Sequence, residues 1–285
     1  MNSNERPLAP PTIKLPARHG RLAAVSTRLA RRPGLIGLLI LLCSSAVPGW
    51  SVVRAADIYD AAVAHAGRTE ADRKRDELDH PAEILRLAGI KPGMKVADVL
   101  AGDGYYSELL SYVVGPKGHV LLINNAPFEK WSEEAWRPRL ADNRLPNVEH
   151  RTVDINHPEL GTESLDAIFL IKVYHDLYWV DTRHETPWPE VETTQVLDQL
   201  VHALKHGGKL VIVDHSAEPG TGTSVAGSLH RIEESYTRKD LESRGLKVVA
   251  NSDVLRRKED ARDQISYKGP MLGKTDRFVL VFRKA

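Results

Sequence analysis

Cysteine is nearly missing from this chain. Cys43 is its one cysteine and lies in the N-terminal segment, so the remainder can form no disulfide, offers no thiolate to a metal and holds no cysteine nucleophile. A membrane-length apolar run is missing too: Leu35–Leu42 is much shorter than the roughly 20 residues a spanning helix needs. Excess positive charge is missing from the body of the protein. Of 39 Lys/Arg and 38 Asp/Glu, residues 1–55 hold eight and one, so residues 56–285 carry 31 against 37, a net charge of −6. A nucleic-acid partner is therefore not expected. No metal site is expected. There is no internal repeat and no sign of a second domain.

The N-terminal segment has an order of its own. Arg28, Arg31 and Arg32 precede the apolar run, small residues follow it, and Val53 and Ala55 stand where a signal peptidase prefers them. This predicts a leader over residues 1–55, a mature chain beginning near Ala56, and a periplasmic or secreted protein with no stable membrane insertion once the leader is removed. An uncleaved anchor is the alternative. Pro33-Gly34 after Arg31-Arg32 weakens a twin-arginine reading, and Leu42 before Cys43 weakens a lipoprotein one.

Downstream, residues 57–88 are charged and helical in period, which predicts a helical extension over 56–92 ahead of a domain over 93–285. Strands are expected at Lys95–Ala101, His119–Asn125, Val148–Ile155, Leu165–Val173, Lys209–Val213, Lys247–Ala250 and Arg277–Arg283. Helices are expected at Tyr105–Val114, Val191–Lys205 and Arg238–Arg244, with a helical stretch around Trp131–Leu140 and a glycine-rich loop at Gly220–Gly227. Strands alternating with helices, several of them continuous apolar runs, predict one doubly wound α/β sheet.

In such sheets ligands sit beyond the carboxyl ends of the strands, at the switch in strand order. The turn "DVLAGDGYY" after the first strand is the expected place. Gly102 and Gly104 remove Cβ atoms that would block a ligand and permit positive φ, and the next helix offers free N–H groups. Leu100 stands where a dinucleotide turn has its first glycine, which speaks against a pyrophosphate ligand. A tight strand–helix turn with no ligand is the alternative.

The segments "KPGMKVADVLAGDGYYSELL", "VGPKGHV", "VYHDL", "LKHGGKLVIVDHSA", "GTGTSVAGSLHRIEES", "LESRGLKVV" and "KTDRFVLVFRK" together resemble a family of secreted bacterial predicted methyltransferases, similar to class I S-adenosylmethionine (SAM)-dependent enzymes. The resemblance runs from about Arg68 to Lys284. It implies a seven-stranded, Rossmann-like sheet whose last strand is antiparallel, SAM as cofactor and a small-molecule methyl acceptor. It also implies cofactor-binding roles: Asp98 matches the acidic residue of the first motif, Gly102 and Gly104 its glycines, and Asp154 the residue that commonly meets the adenine amino group. Asn124 stands where an acid usually meets the ribose hydroxyls; its carbonyl can accept a hydrogen bond without the charge that strengthens one.

His175-Asp176 follows the fourth strand, Asp214-His215 the fifth, and His230 the glycine loop. His175, His215 and His230 are the catalytic candidates, because a methyl acceptor must lose a proton and histidine titrates near neutrality. The alternatives are hydrogen-bonding groups that close loops, or metal ligands. Tyr105, Tyr106, Tyr174, Tyr178 and Trp179 are candidates for an aromatic wall around a substrate or sulfonium, or for ordinary packing. Three functions stay open: an exported methyltransferase, a nucleoside- or small-molecule-binding protein on the same fold, and a different His/Asp enzyme on it.

Overall fold

The computed structural model describes residues 57–181 and 187–285. The expected leader lies outside the described residues. The chain enters through three helices, α1 (Ile58–Val63), α2 (Glu70–Asp79) and α3 (Pro81–Ala88). The Thr69 hydroxyl caps α2 by accepting from the Asp72 N–H, and Pro81 fits the first turn of α3, where no N–H partner exists anyway. Helix α3 buries Ile84, Leu85 and Ala88.

Seven strands follow: β1 (Lys95–Val99), β2 (His119–Asn124), β3 (Val148–Thr152), β4 (Leu165–Ile171), β5 (Leu204–His215), β6 (Leu246–Ser252) and β7 (Arg277–Lys284). Their order is β3-β2-β1-β4-β5-β7-β6. The first five run parallel, and β7 is antiparallel to both neighbours. This is the seven-stranded α/β sheet expected from the sequence. Helices α4 (Tyr105–Val114), α5 (Ala126–Trp131), α6 (Trp136–Leu140), α7 (Thr193–Ala203), α8 (Ala226–Leu229) and α9 (Glu234–Ser243) complete the element list.

Strand alternation sorts the core into two layers. Ala97, Val99, Leu121, Ile123, Ile168, Leu170, Leu210, Ile212 and Leu280 share one layer with α7. Val96, Val120, Ala167, Phe169, Val211, Val213, Val279 and Val281 share the other with α3 and α4. A sheet covered on both faces buries its central strands completely, which is why they read as unbroken apolar runs.

Several boundaries differ from expectation. Helix α7 ends at Ala203, two residues early, because Leu204 takes extended backbone and pairs with Leu165; a register shift follows before Ala167 meets Lys209. Helix α9 begins at Glu234, four residues early, through a polar stretch with no apolar period to betray it. Strand β3 stops at Thr152.

Beneath the carboxyl ends of β4 and the start of β7 lies a buried ion cluster. Asp79 of α2 bonds Arg75 (2.9 Å), Lys172 (3.1 Å) and Arg277. Burial opposes the charge of Asp79, but these three cations hold its carboxyl far below the usual range. The cluster ties helix α2 to the end of β4 and the start of β7.

Candidate active-site cleft

The sheet switches direction between β1 and β4, and the turn after β1 has the geometry of a cradle. Gly102 (φ 61) and Gly104 (φ 77) both sit in the left-handed region, and Leu100, at φ 56, occupies it without a glycine's freedom. Leu100 is held there because its side chain is buried in the core. Leu100 stands where a dinucleotide turn has its first glycine, and it takes the left-handed conformation that the glycine would take. A Cβ on Gly104 would stand 2.6 Å from Leu122, and one on Gly102 would stand 4.0 Å from the Phe128 ring.

Asp98 is buried beneath this turn and accepts from the Ser107 hydroxyl of α4 at 2.7 Å. Burial, aided by the nearby Asp103, pushes its carboxyl up to about 7. Asn124 is fully buried and commits both ends of its amide to one residue: Oδ1 accepts from the Gly102 N–H (2.8 Å) and Nδ2 donates to the Gly102 carbonyl (3.0 Å). Its contact is thus with the turn rather than with open space. The neighbouring Asn125 caps α5 by accepting from the Phe128 N–H, while its buried Nδ2 has no hydrogen-bond partner among the described residues. Sequence reasoning passed over Asn125; the Asn-x-Pro start of a helix after a strand was the available signal. Asp154 stands apart, with its side chain 60% exposed and tied to the Asn156 N–H and to His157.

Beside the cradle opens a cleft of about 770 Å³. Phe128 and Trp131 form its cradle side, Lys172, His175, Asp176 and Trp179 rise from the end of β4, His215 ends β5, and His230 and residues 265–268 close the far wall. Of the five aromatics expected as a wall, Trp179 alone lines the cleft. Tyr105 and Tyr106 pack in the core, and the Tyr174 and Tyr178 hydroxyls both donate to Asp240 of α9. Phe128, Trp131 and Trp179 instead gather around the buried Trp188, at ring separations of 5.6, 5.6 and 6.2 Å.

Four of the polar groups singled out in the sequence converge on the cleft. Asp214, fully buried, accepts from the His175 N–H (2.9 Å), from His175 Nδ1 (2.8 Å) and from the His215 N–H (2.7 Å). Nδ1 of His175 therefore carries a proton, which leaves Nε2 facing Asp176 Oδ1 (3.2 Å) and His230 Nδ1 (3.3 Å). His230 Nδ1 and Asp176 Oδ1 are 3.4 Å apart. His230 takes φ 49, another strained non-glycine position, and its ring is clasped edge-to-face by Trp179 and Tyr267. The adjacent Arg231 anchors it from below by a paired bond to Asp260 (2.8 and 3.1 Å). His215 belongs to a different set of bonds: its Nδ1 meets the Thr275 hydroxyl at 2.7 Å.

The histidines differ in charge. Burial opposes the imidazolium of His175, but Asp176 and Asp214 outweigh it and push the ring up to about 10. Burial, with His175 and Lys172 nearby, pushes His215 well below its ordinary value. Lys172 is also lowered, to about 8, by burial and by Arg75. The cleft thus sets a charged ring beside a neutral one, the separation that acid–base chemistry uses.

Comparison with known proteins agrees on the fold. No protein-family model matches the chain. Over 128 residues, 45% of the chain, it is 29% identical to an arsenite methyltransferase of Halobacterium salinarum, and the match spans only 29% of that protein's length. Among solved structures it is similar to a SAM-dependent methyltransferase of Aquifex aeolicus (24% identity, 75% of this chain and 98% of the other, TM-score 0.51). It is also similar to a candidate sarcosine dimethylglycine methyltransferase of Galdieria sulphuraria (18%, 75% and 86%, TM-score 0.50). The chain has the Rossmann-like methyltransferase fold.

Proposed function

We propose that this protein is an exported SAM-dependent methyltransferase whose small-molecule acceptor occupies the cleft. The observation that carries the reading is the orphaned amide of Asn125. It is a buried donor without a partner among the described residues, on the strand end next to the glycine turn, and buried polar groups are rarely left so. A ribose-bearing ligand laid along Gly102 and Gly104 would satisfy it. The residues present therefore fit the cofactor, with Gly102 and Gly104 giving backbone access, Asn125 donating, and Asn124 holding Gly102 in place rather than meeting the ribose.

When bound, SAM supplies the electrophilic methyl group. The chain's part is to seat and deprotonate the acceptor. Phe128 touches the cradle on one side and the cleft on the other, so ligands in the two would be neighbours. His215, its Nδ1 held by Thr275, has Nε2 left to take the acceptor's proton. The aromatic wall of Trp131 and Trp179 suits a flat or cationic acceptor. Export rests on the order of charged, apolar and small residues before Ala56.

The test is calorimetry of the purified chain with SAM and S-adenosylhomocysteine. Both should bind, and Gly102→Val should abolish binding while the protein remains folded, since a branched side chain is strained at φ 61 and its methyls would reach Phe128. Unchanged affinity in that variant would put the ligand elsewhere. Mass spectrometry of a periplasmic fraction should find an N-terminus near Ala56; a full-length cytosolic chain would sink the export reading.

A further inference from the structure

The geometry points to a divalent transition-metal site, zinc-like in preference, formed by His175 Nε2, Asp176 Oδ1 and His230 Nδ1. These groups form a metal-competent cluster among the described residues, all within 4.8 Å of one another. Their edges are more informative than that limit. A tetrahedral ion with ligands at about 2.0–2.1 Å sets neighbouring ligand atoms about 3.3 Å apart. The three separations here are 3.2, 3.3 and 3.4 Å. The triangle is one face of that tetrahedron.

The surroundings are those of a supported ligand set. His175 donates its Nδ1 hydrogen to a buried carboxylate, Asp214, which orients the ring and leaves Nε2 to ligate once an ion displaces its proton. Asp176 Oδ1 is oriented by the Trp179 indole N–H at 2.8 Å. His230 is held by Trp179 and Tyr267 at a backbone conformation that costs strain. Three protein ligands leave a fourth position open, the count of a catalytic site rather than a structural one. A second observation supports a polar occupant: the Ser266 hydroxyl, 2% exposed, lines the same cleft and has no hydrogen-bond partner among the described residues. A water or acceptor oxygen on the ion would satisfy it. Two imidazoles, one carboxylate and no sulfur favour zinc and its neighbours over magnesium or calcium.

The competing account is that a protonated His175 simply shares its hydrogens with Asp214, Asp176 and His230. The two predict different behaviour. The full chain, stripped with chelator, should bind one Zn²⁺ per molecule in calorimetry, rise in melting temperature, and give the visible absorption of four-coordinate Co²⁺ when loaded with that ion. His230→Ala should weaken binding more than ~100-fold, and Asp214→Asn, which removes only the support behind His175, by ~10–100-fold. His119→Ala, at a half-buried histidine on β2 outside the cluster, should leave binding unchanged. Because Asp214→Asn can also harm folding, each variant is first melted without metal; His230→Ala, at a loop position, decides between the two accounts. No binding by folded wild type, or equal binding by His230→Ala, overturns the site. The measurement needs no SAM, so its outcome is separate from that of the methyltransferase reading.

Discussion

Replacing Asn124 by aspartate exchanges the NH₂ group that donates to the Gly102 carbonyl for an oxygen, in a place with no solvent exposure. A protonated aspartic acid reproduces the native pattern, since its O–H donates to the carbonyl and its C=O accepts from the Gly102 N–H. An ionised one sets two oxygens against each other and buries a charge, so the folded pKa must rise above the ~3.9 of an unfolded aspartate. For a carboxyl raised in this way, stability is full below the unfolded pKa and is lost as pH rises. If the group stays protonated, the loss is about 1.4 kcal/mol per pH unit, under ~1 kcal/mol at pH 4.5 and about 4 kcal/mol at pH 7. For a domain of this size that is roughly 8–16 °C in Tm. Asn124→Ala, which strands both Gly102 groups, should cost about 2–5 kcal/mol with no added pH dependence. Thermal melts of wild type and both variants from pH 4.5 to 8 decide the matter. Parallel curves for wild type and Asn124→Asp would mean that the amide does not brace Gly102 and faces the crevice instead.

Asp79→Asn leaves Arg75, Lys172 and Arg277 without their shared carboxylate, and should cost about 3–5 kcal/mol in urea unfolding at pH 7. Because the Asp79 carboxyl is depressed in the fold, its contribution is present above the unfolded pKa and fades as pH falls, so the variant's deficit should shrink in acid; a deficit that is constant from pH 7 to 3 would refute this. Asp98 has the opposite sign, raised to about 7, so wild type should lose stability between about pH 4 and 7, and Asp98→Asn, which can still accept from Ser107, should flatten that slope. At Leu100 the usual ranking of glycine and alanine should invert. Both variants lose a buried leucine at about 2–5 kcal/mol, but alanine keeps the left-handed strain and should melt lower than glycine by about 1 kcal/mol.

The α/β architecture was legible because burial on both sheet faces writes itself as apolar runs, and helix packing as a 3.6-residue period. Boundaries were less legible where local composition is silent. Helix α9 starts in a polar stretch, and α7 is cut short by the pairing of Leu204 with Leu165. The glycine turn was visible, but the roles of its neighbours were not. Asn124 reads as a ribose contact in one dimension and binds Gly102 in three; Asn125 drew no notice in one dimension, and only packing leaves half of its amide without a partner among the described residues.

The sequence by itself determined that a charged, largely cysteine-free chain would fold as one doubly wound sheet, with its crevice expected at the carboxyl edge, since hydrophobic period, turn glycines and charge balance are local properties. It also named His175, His215 and His230. Only the tertiary structure decided how they divide. His230 lies 55 residues from His175 in the chain, yet their ring nitrogens are 3.3 Å apart, while His215 turns to Thr275. Ligand spacing in a sequence reports on sites built within one element. This cluster is built from the 3-10 turn His175–Tyr178 after β4 and the residue that ends α8, backed by Asp214 near the end of β5, which meet because parallel strands bring their carboxyl ends to one edge.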